Sequence, residues 1–181
     1  ILDNLVQPFW LSDCMVNETV LFLRDGAILP DAPLLFAPTK ILSVRNSALD
    51  TTYAERQDWL FEEDRLKLLP GSRIFHMDRQ ALRPQIAPPD AGLMPGRDGR
   101  AGVLFAEGAY FHTRQTVITY SFDHQLWQGP RPSFQGERLP CTLHLLQHKK
   151  KLELVLYGDS ISVGANSSKI SGVLPFVPSW G

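Results

Sequence analysis

Cysteine is nearly absent from this chain of 181 residues: Cys14 and Cys141 are the only two. Two isolated cysteines cannot build a disulfide framework, although a single bridge between them stays open. Neither has another Cys within a few residues, and no zinc site is expected. Long hydrophobic runs are missing too, and without about 20 consecutive apolar residues no transmembrane helix is expected. Nor is there a charge excess of one sign. Lys and Arg number 18 against 19 Asp and Glu, for a net charge of -1. Because the two signs are interspersed, no electrostatic footprint for nucleic acid or an anionic membrane is visible. The one basic run, His148-Lys149-Lys150-Lys151, reads as a solvated helix end. The chain starts at Ile1 rather than Met, so the lack of a leader assigns no compartment. His144 and His148 are placed four apart on an expected helix, but no third ligand accompanies them. No metal and no cofactor are therefore expected.

What is present has the composition of a globular protein, 44% hydrophobic and 20% charged. Short β-prone runs at 19–23, 41–45, 73–75 and 115–120 are separated by the turn pairs Asp25-Gly26, Pro70-Gly71 and Pro95-Gly96. That spacing suits a sandwich or barrel rather than a helical bundle. Residues 84–102, rich in Pro and Gly, read as a long irregular loop. The character changes at 139–150, where Pro140 suits a first helical turn and Leu143, Leu145 and Leu146 supply an apolar stripe. A domain boundary is expected near 136–140.

Directly behind that helix, residues 152–157 are apolar apart from Glu153, with the length of a buried parallel strand. Gly158 permits a sharp turn at its end. A loop is expected over 158–162 and a new helix near Val163, with Ser160 at the carboxyl edge of a sheet, where open α/β folds place ligands. Two other readings fail on the residues. A phosphate-binding loop would close on Gly-Lys-[Ser/Thr], whereas Gly164-Ala165-Asn166 stands there. A dinucleotide fingerprint needs closer glycines than Gly158, Gly164 and Gly172. An ordinary turn in which Asp159 or Ser160 caps a helix stays open.

The order Gly158-Asp159-Ser160-Ile161 after an apolar run, followed by Ser162-x-Gly164, resembles the first sequence block of the SGNH/GDSL hydrolases, serine esterases with a flavodoxin-like α/β sheet. Segments 17–22, 111–115 and 135–140 look like the β-rich domain found ahead of the hydrolase domain in some members, carbohydrate-type esterases included. The resemblance implies a mainly β, jelly-roll-like sandwich at 1–138, then a linker helix and the first βα unit of the catalytic domain at 139–181. It implies Ser160 as nucleophile and backbone oxyanion donor, supported by Gly158 and Asp159. The substrates it implies are acyl esters, acetylated carbohydrate among them. The remaining oxyanion donors and the Asp-x-x-His pair of that family belong to later blocks, and none follows Ser160 in this sequence. The catalytic domain is therefore expected to be incomplete in this chain, and the chain alone inactive.

A serine hydroxyl needs a general base within hydrogen-bond reach and a group to orient that base. Asp159 is better suited to shaping the turn than to serving as that acid. His112 and His124 lie in the β-rich region, and nothing in the sequence directs either toward Ser160. Trp10, Tyr110, Trp127 and Phe134 could stack on sugar rings, although core packing is the commoner fate of such residues. The alternative to an esterase is a non-catalytic β-sandwich module binding glycan or protein, with the Gly158-Asp159-Ser160 turn purely structural.

Overall fold

Seven residues, Thr116–Phe122, carry the centre of the fold: the segment is β-branched or aromatic at most positions, and five of its side chains are buried. A computed structural model describes residues 8–97, 102–105, 109–153, 155, 157 and 158. The described strands are β1 (Cys14–Val20), β2 (Phe22–Arg24), β3 (Asp31–Pro33), β4 (Pro38–Asn46), β5 (Trp59–Glu62), β6 (Arg65–Leu68), β7 (His76–Asp78), β8 (Gly92–Met94), β9 (Val103–Phe105) and β10 (Thr116–Phe122), with one helix, α1 (Pro140–Gln147). The fold is mainly β.

β10 runs antiparallel between β1 and β4, and a second three-stranded sheet has the order β3-β6-β5. β2 and β7 form a parallel pair, β8 and β9 an antiparallel one. A single cluster of buried side chains joins the two three-stranded sheets and the β2–β7 pair: Phe22 from β2, Val44 from β4, Leu66 from β6, Ile74 before β7, and Ile118, Tyr120 and Phe122 from β10. The Phe36 and Phe122 rings stack 4.6 Å apart within it.

The strand expected at 41–45 lies inside β4, and the one expected at 115–120 falls in β10 except for Gln115. Residues 19–23 straddle a break at Leu21 between β1 and β2, and residues 73–75 are not in a strand, β7 beginning only after them at His76. The described residues of 84–102 are mostly irregular but contribute β8. Gly26 and Gly71 have φ of 60° and 79°, the left-handed conformation their turns require.

Two features replace side chains that sequence rules would favour. β5 and β6 form a hairpin whose two-residue turn, Glu63-Asp64, has φ of 53° and 58°. Both values belong to the primed turn that matches strand twist, normally Asn-Gly. With L-residues in the left-handed region costing roughly 1–2 kcal/mol each, Asp64→Gly should raise stability by about 1 kcal/mol. Urea unfolding of the variant checks it, and an unchanged or lower midpoint contradicts it.

The other feature is a bulge in β1. Pairing with β10 slips between Met15 and Glu18, with Asn17 at φ 55° and its N–H donating to Thr119 Oγ1. Past the bulge, the Glu18 carboxylate accepts from Tyr120 Oη at 2.5 Å and from Leu35 N at 2.8 Å. Tyr120 Oη in turn accepts from Phe36 N. Burial, reinforced by the Glu18 hydrogen bond, raises the Tyr120 hydroxyl above its ordinary pKa, so it stays a donor. Tyr120→Phe leaves two partners unsatisfied and should cost about 2 kcal/mol in urea unfolding, whereas a loss within error would show that water replaces the hydroxyl.

Candidate functional site

α1 begins as the sequence predicts, with Pro140 in its first turn. It ends in a Schellman arrangement: Lys149 N donates to Leu146 O and Lys150 N to Leu145 O, with Lys149 at φ 50° in the position that glycine usually takes. No residue of α1 is buried, and Leu146 is more than half exposed. The His148-Lys-Lys-Lys151 run is solvent-exposed, as expected of a helix end.

The strand expected at 152–157 is not seen in its described residues. Its described residues, Leu152, Glu153, Val155 and Tyr157, lie outside any strand, and the side chains of Val155 and Tyr157 are 91% and 102% exposed. The physical reason is that apolar character specifies burial, but a strand exists only through hydrogen bonds to a neighbour, and no described strand runs beside these residues. Gly158 is exposed, at the end of this run. Asp159, Ser160 and the loop and helix expected after them lie outside the described residues.

The other candidates have structural roles. Asp13 Oδ1 accepts from His124 Nδ1 at 2.5 Å and from His124 N at 3.3 Å, while Asp123 Oδ1 caps the next turn by accepting from Gln125 N. The hydrogen bond from the His124 side chain holds the Asp13 carboxyl below the usual carboxylate range. Asp13, Asp123 and His124 are the one group among the described residues compact enough to hold a cation. These bonds, together with Phe122 N donating to Asp13 O, fasten the start of β1 to the end of β10. His112 is exposed in a short 3-10 turn. His148 Nδ1 faces the His144 carbonyl at 2.8 Å, which occupies one of the four ring nitrogens of that pair. Both cysteines are free thiols.

The four aromatic candidates separate. Trp127 meets Phe9 edge-on at 5.0 Å, lies 6.5 Å from Trp10, and packs against the main core. Tyr110 is covered by the Arg114 guanidinium, 3.7 Å from its ring centre. Only Phe134 stands out, with 81% of its surface exposed.

Sequence reasoning missed the most strongly held carboxylate. Asp58, 1% exposed, accepts from Ala54 N, from Arg73 N and from both Nε and Nη2 of Arg73, the last at 2.6 Å. These donors, the Arg73 side chain first, hold its pKa down to about 2. All of its bonds lie within the protein, so the group locks the loop before β5 to the segment before β7. No local signal marks it, because its partner is 15 residues away. An open cleft of about 640 Å³ is lined by Asp25, Arg79, Gln80, Leu82 and Arg83, none of them a nucleophile or a general base of ordinary pKa near neutrality. Arg79 is already paired with Asp25 there. Comparisons with protein-family models, with curated proteins and with solved structures found no match to this chain.

Proposed function

We propose that this chain carries the nucleophile of a serine ester hydrolase of SGNH/GDSL type, acting on acyl esters, acetylated carbohydrate among them. One observation carries the reading: Gly158-Asp159-Ser160-Ile161 stands directly behind an apolar run, in a chain whose preceding residues are β-rich. In support, the described apolar residues Val155 and Tyr157 of that run are exposed rather than packed in the β core. In this reading residues 152–157 become a strand of a flavodoxin-like parallel sheet when neighbouring strands supply hydrogen bonds and cover, and the β-rich part ahead of them is a jelly-roll-like sandwich.

The chemistry follows from the residue type. Ser160 Oγ attacks the ester carbonyl carbon as a general base takes its proton, and the developing oxyanion is held by backbone N–H groups, that of Ser160 included. Collapse of the tetrahedral intermediate returns the proton to the departing alcohol, and water then releases the acid from the acyl-enzyme. The base in this reading is the His of the family's Asp-x-x-His pair. His124, whose Nδ1 is held by Asp13, is not assigned to it, because Ser160 lies outside the described residues and nothing sets the two side by side.

The test is hydrolysis of p-nitrophenyl acetate by the intact protein and its Ser160→Ala variant. Loss of turnover with the fold retained supports the assignment. An unmutated protein that hydrolyses no ester but binds glycan or protein would instead be the binding module.

A further inference from the structure

Two imidazoles meet at the end of α1. His144 and His148 lie one helical turn apart on the same face, both exposed, with ring centres 4.1 Å apart and a 33° tilt between the rings. The spacing alone gives the shared face. The ring of His148 is set by a further contact, because its Nδ1 lies 2.8 Å from the His144 carbonyl oxygen. A carbonyl oxygen can only accept, so in the neutral ring Nδ1 carries the proton and Nε2 keeps its lone pair. Proteins set the tautomer and orientation of metal-ligating histidines in this way, with a backbone carbonyl on the nitrogen that does not bind the ion. Among the described residues, nothing else bonds either ring.

The other candidate for a cation is already engaged. Asp13, Asp123 and His124 are the one group of three among the described residues whose ligand atoms lie within 4.8 Å of one another. There, however, His124 Nδ1 donates to Asp13 Oδ1 at 2.5 Å and Asp123 Oδ1 accepts from Gln125 N.

What surrounds the imidazole pair narrows the kind of ion. α1 carries no carboxylate, and Lys149 and Lys150 follow His148 directly, while Lys151 is paired with Glu153. Magnesium and calcium, which seek oxygen ligands, gain nothing from such a site. Neutral imidazole nitrogen suits zinc, nickel and copper.

We infer that His144 and His148 bind one divalent transition-metal ion of the zinc, nickel or copper type, through Nε2 of His148 and one ring nitrogen of His144, with water in the remaining positions. Bonds of about 2.0–2.1 Å to each nitrogen bridge the two rings. The ion then staples the last turn of α1. No residue of that helix is buried, and eight residues make a helix of little stability by itself, so the staple steadies the segment directly ahead of Gly158. The inference is independent of the esterase reading.

The experiment titrates the intact, metal-free protein with zinc chloride at about pH 7.5, where ligation by neutral imidazole is favoured. Calorimetry should give a Kd on the order of 10–100 μM, as for an ion held by two protein ligands and water. His144→Ala and His148→Ala should each weaken binding at least about tenfold with Tm unchanged, since the chelate becomes a single ligand. His124→Gln should bind as the parent does, and magnesium should not bind. Amide hydrogen exchange across 141–150 should slow on zinc addition in the parent and in neither helix variant. Absence of zinc binding at about 1 mM overturns the inference. So does binding that survives His148→Ala or disappears in His124→Gln, which places the ion elsewhere, and so does bound zinc that leaves exchange in α1 unchanged.

Discussion

Ser160→Ala is expected to lower p-nitrophenyl acetate turnover by the intact protein by a factor on the order of 10⁴ or more, with the fold unchanged. The substitution removes the attacking oxygen and replaces it with hydrogen, a small loss of volume. What stays is binding and any oxyanion stabilisation, which in other serine hydrolases leave only a small residue of the rate. The size of the effect separates a nucleophile from a merely helpful hydroxyl, since loss of a positioning hydrogen bond costs far less. A variant keeping more than about a tenth of the activity would place the nucleophile elsewhere. A circular-dichroism spectrum and Tm equal to those of the parent exclude misfolding as the cause.

The largest stability effect is expected at Asp58. Asp58→Ala removes the acceptor for two backbone N–H groups and for the Arg73 fork, and should cost about 3 kcal/mol, lowering Tm by on the order of 10 °C. Arg73 is half exposed and can turn to water, which keeps the loss below that of a fully buried pair. The effect should depend on pH in a defined direction. The folded-state pKa, about 2, lies below the ordinary value of 3.8. The ionised group therefore stabilises the fold fully above about pH 4, and this contribution fades as pH falls toward 2. Over that interval the gap between parent and variant should shrink by roughly 2 kcal/mol. Urea unfolding of both proteins between these limits measures it. Taking the difference cancels the other carboxylates with lowered pKa values, Asp31 and Asp78 among them. A gap as wide at the acid end as at neutrality would show that charge at Asp58 contributes little.

The legible parts of the fold are those in which neighbouring residues determine the outcome. β10 was readable because β-branched and aromatic residues fill it, β4 because Ile41, Leu42 and Val44 form a short β-prone run, and α1 because Pro140 and the leucines that follow are local signals. β3, β5 and β6 were not. The turn between β5 and β6 is Glu63-Asp64, without the glycine or asparagine that normally marks it, and the pairing of β5 with β6 and the packing of Trp59, Leu66 and Leu68 into the core go with its left-handed conformation. The described residues of 152–157 show the opposite case, a sound apolar pattern with no described strand alongside.

The candidate site divides along the same line. The nucleophile motif is contiguous in sequence and was legible at once. By itself, the sequence determined the mainly β character, the helix start at Pro140 and the presence of Gly158-Asp159-Ser160. Tertiary structure decided that Asp58 meets Arg73, that the bulge at Asn17 brings Glu18 to Tyr120, and that Val155 and Tyr157 face solvent. Each of these depends on residues distant in the chain. Propensity and patterning act over a few residues, whereas hydrogen-bond partners and burial are set by whatever segment the folded chain brings alongside.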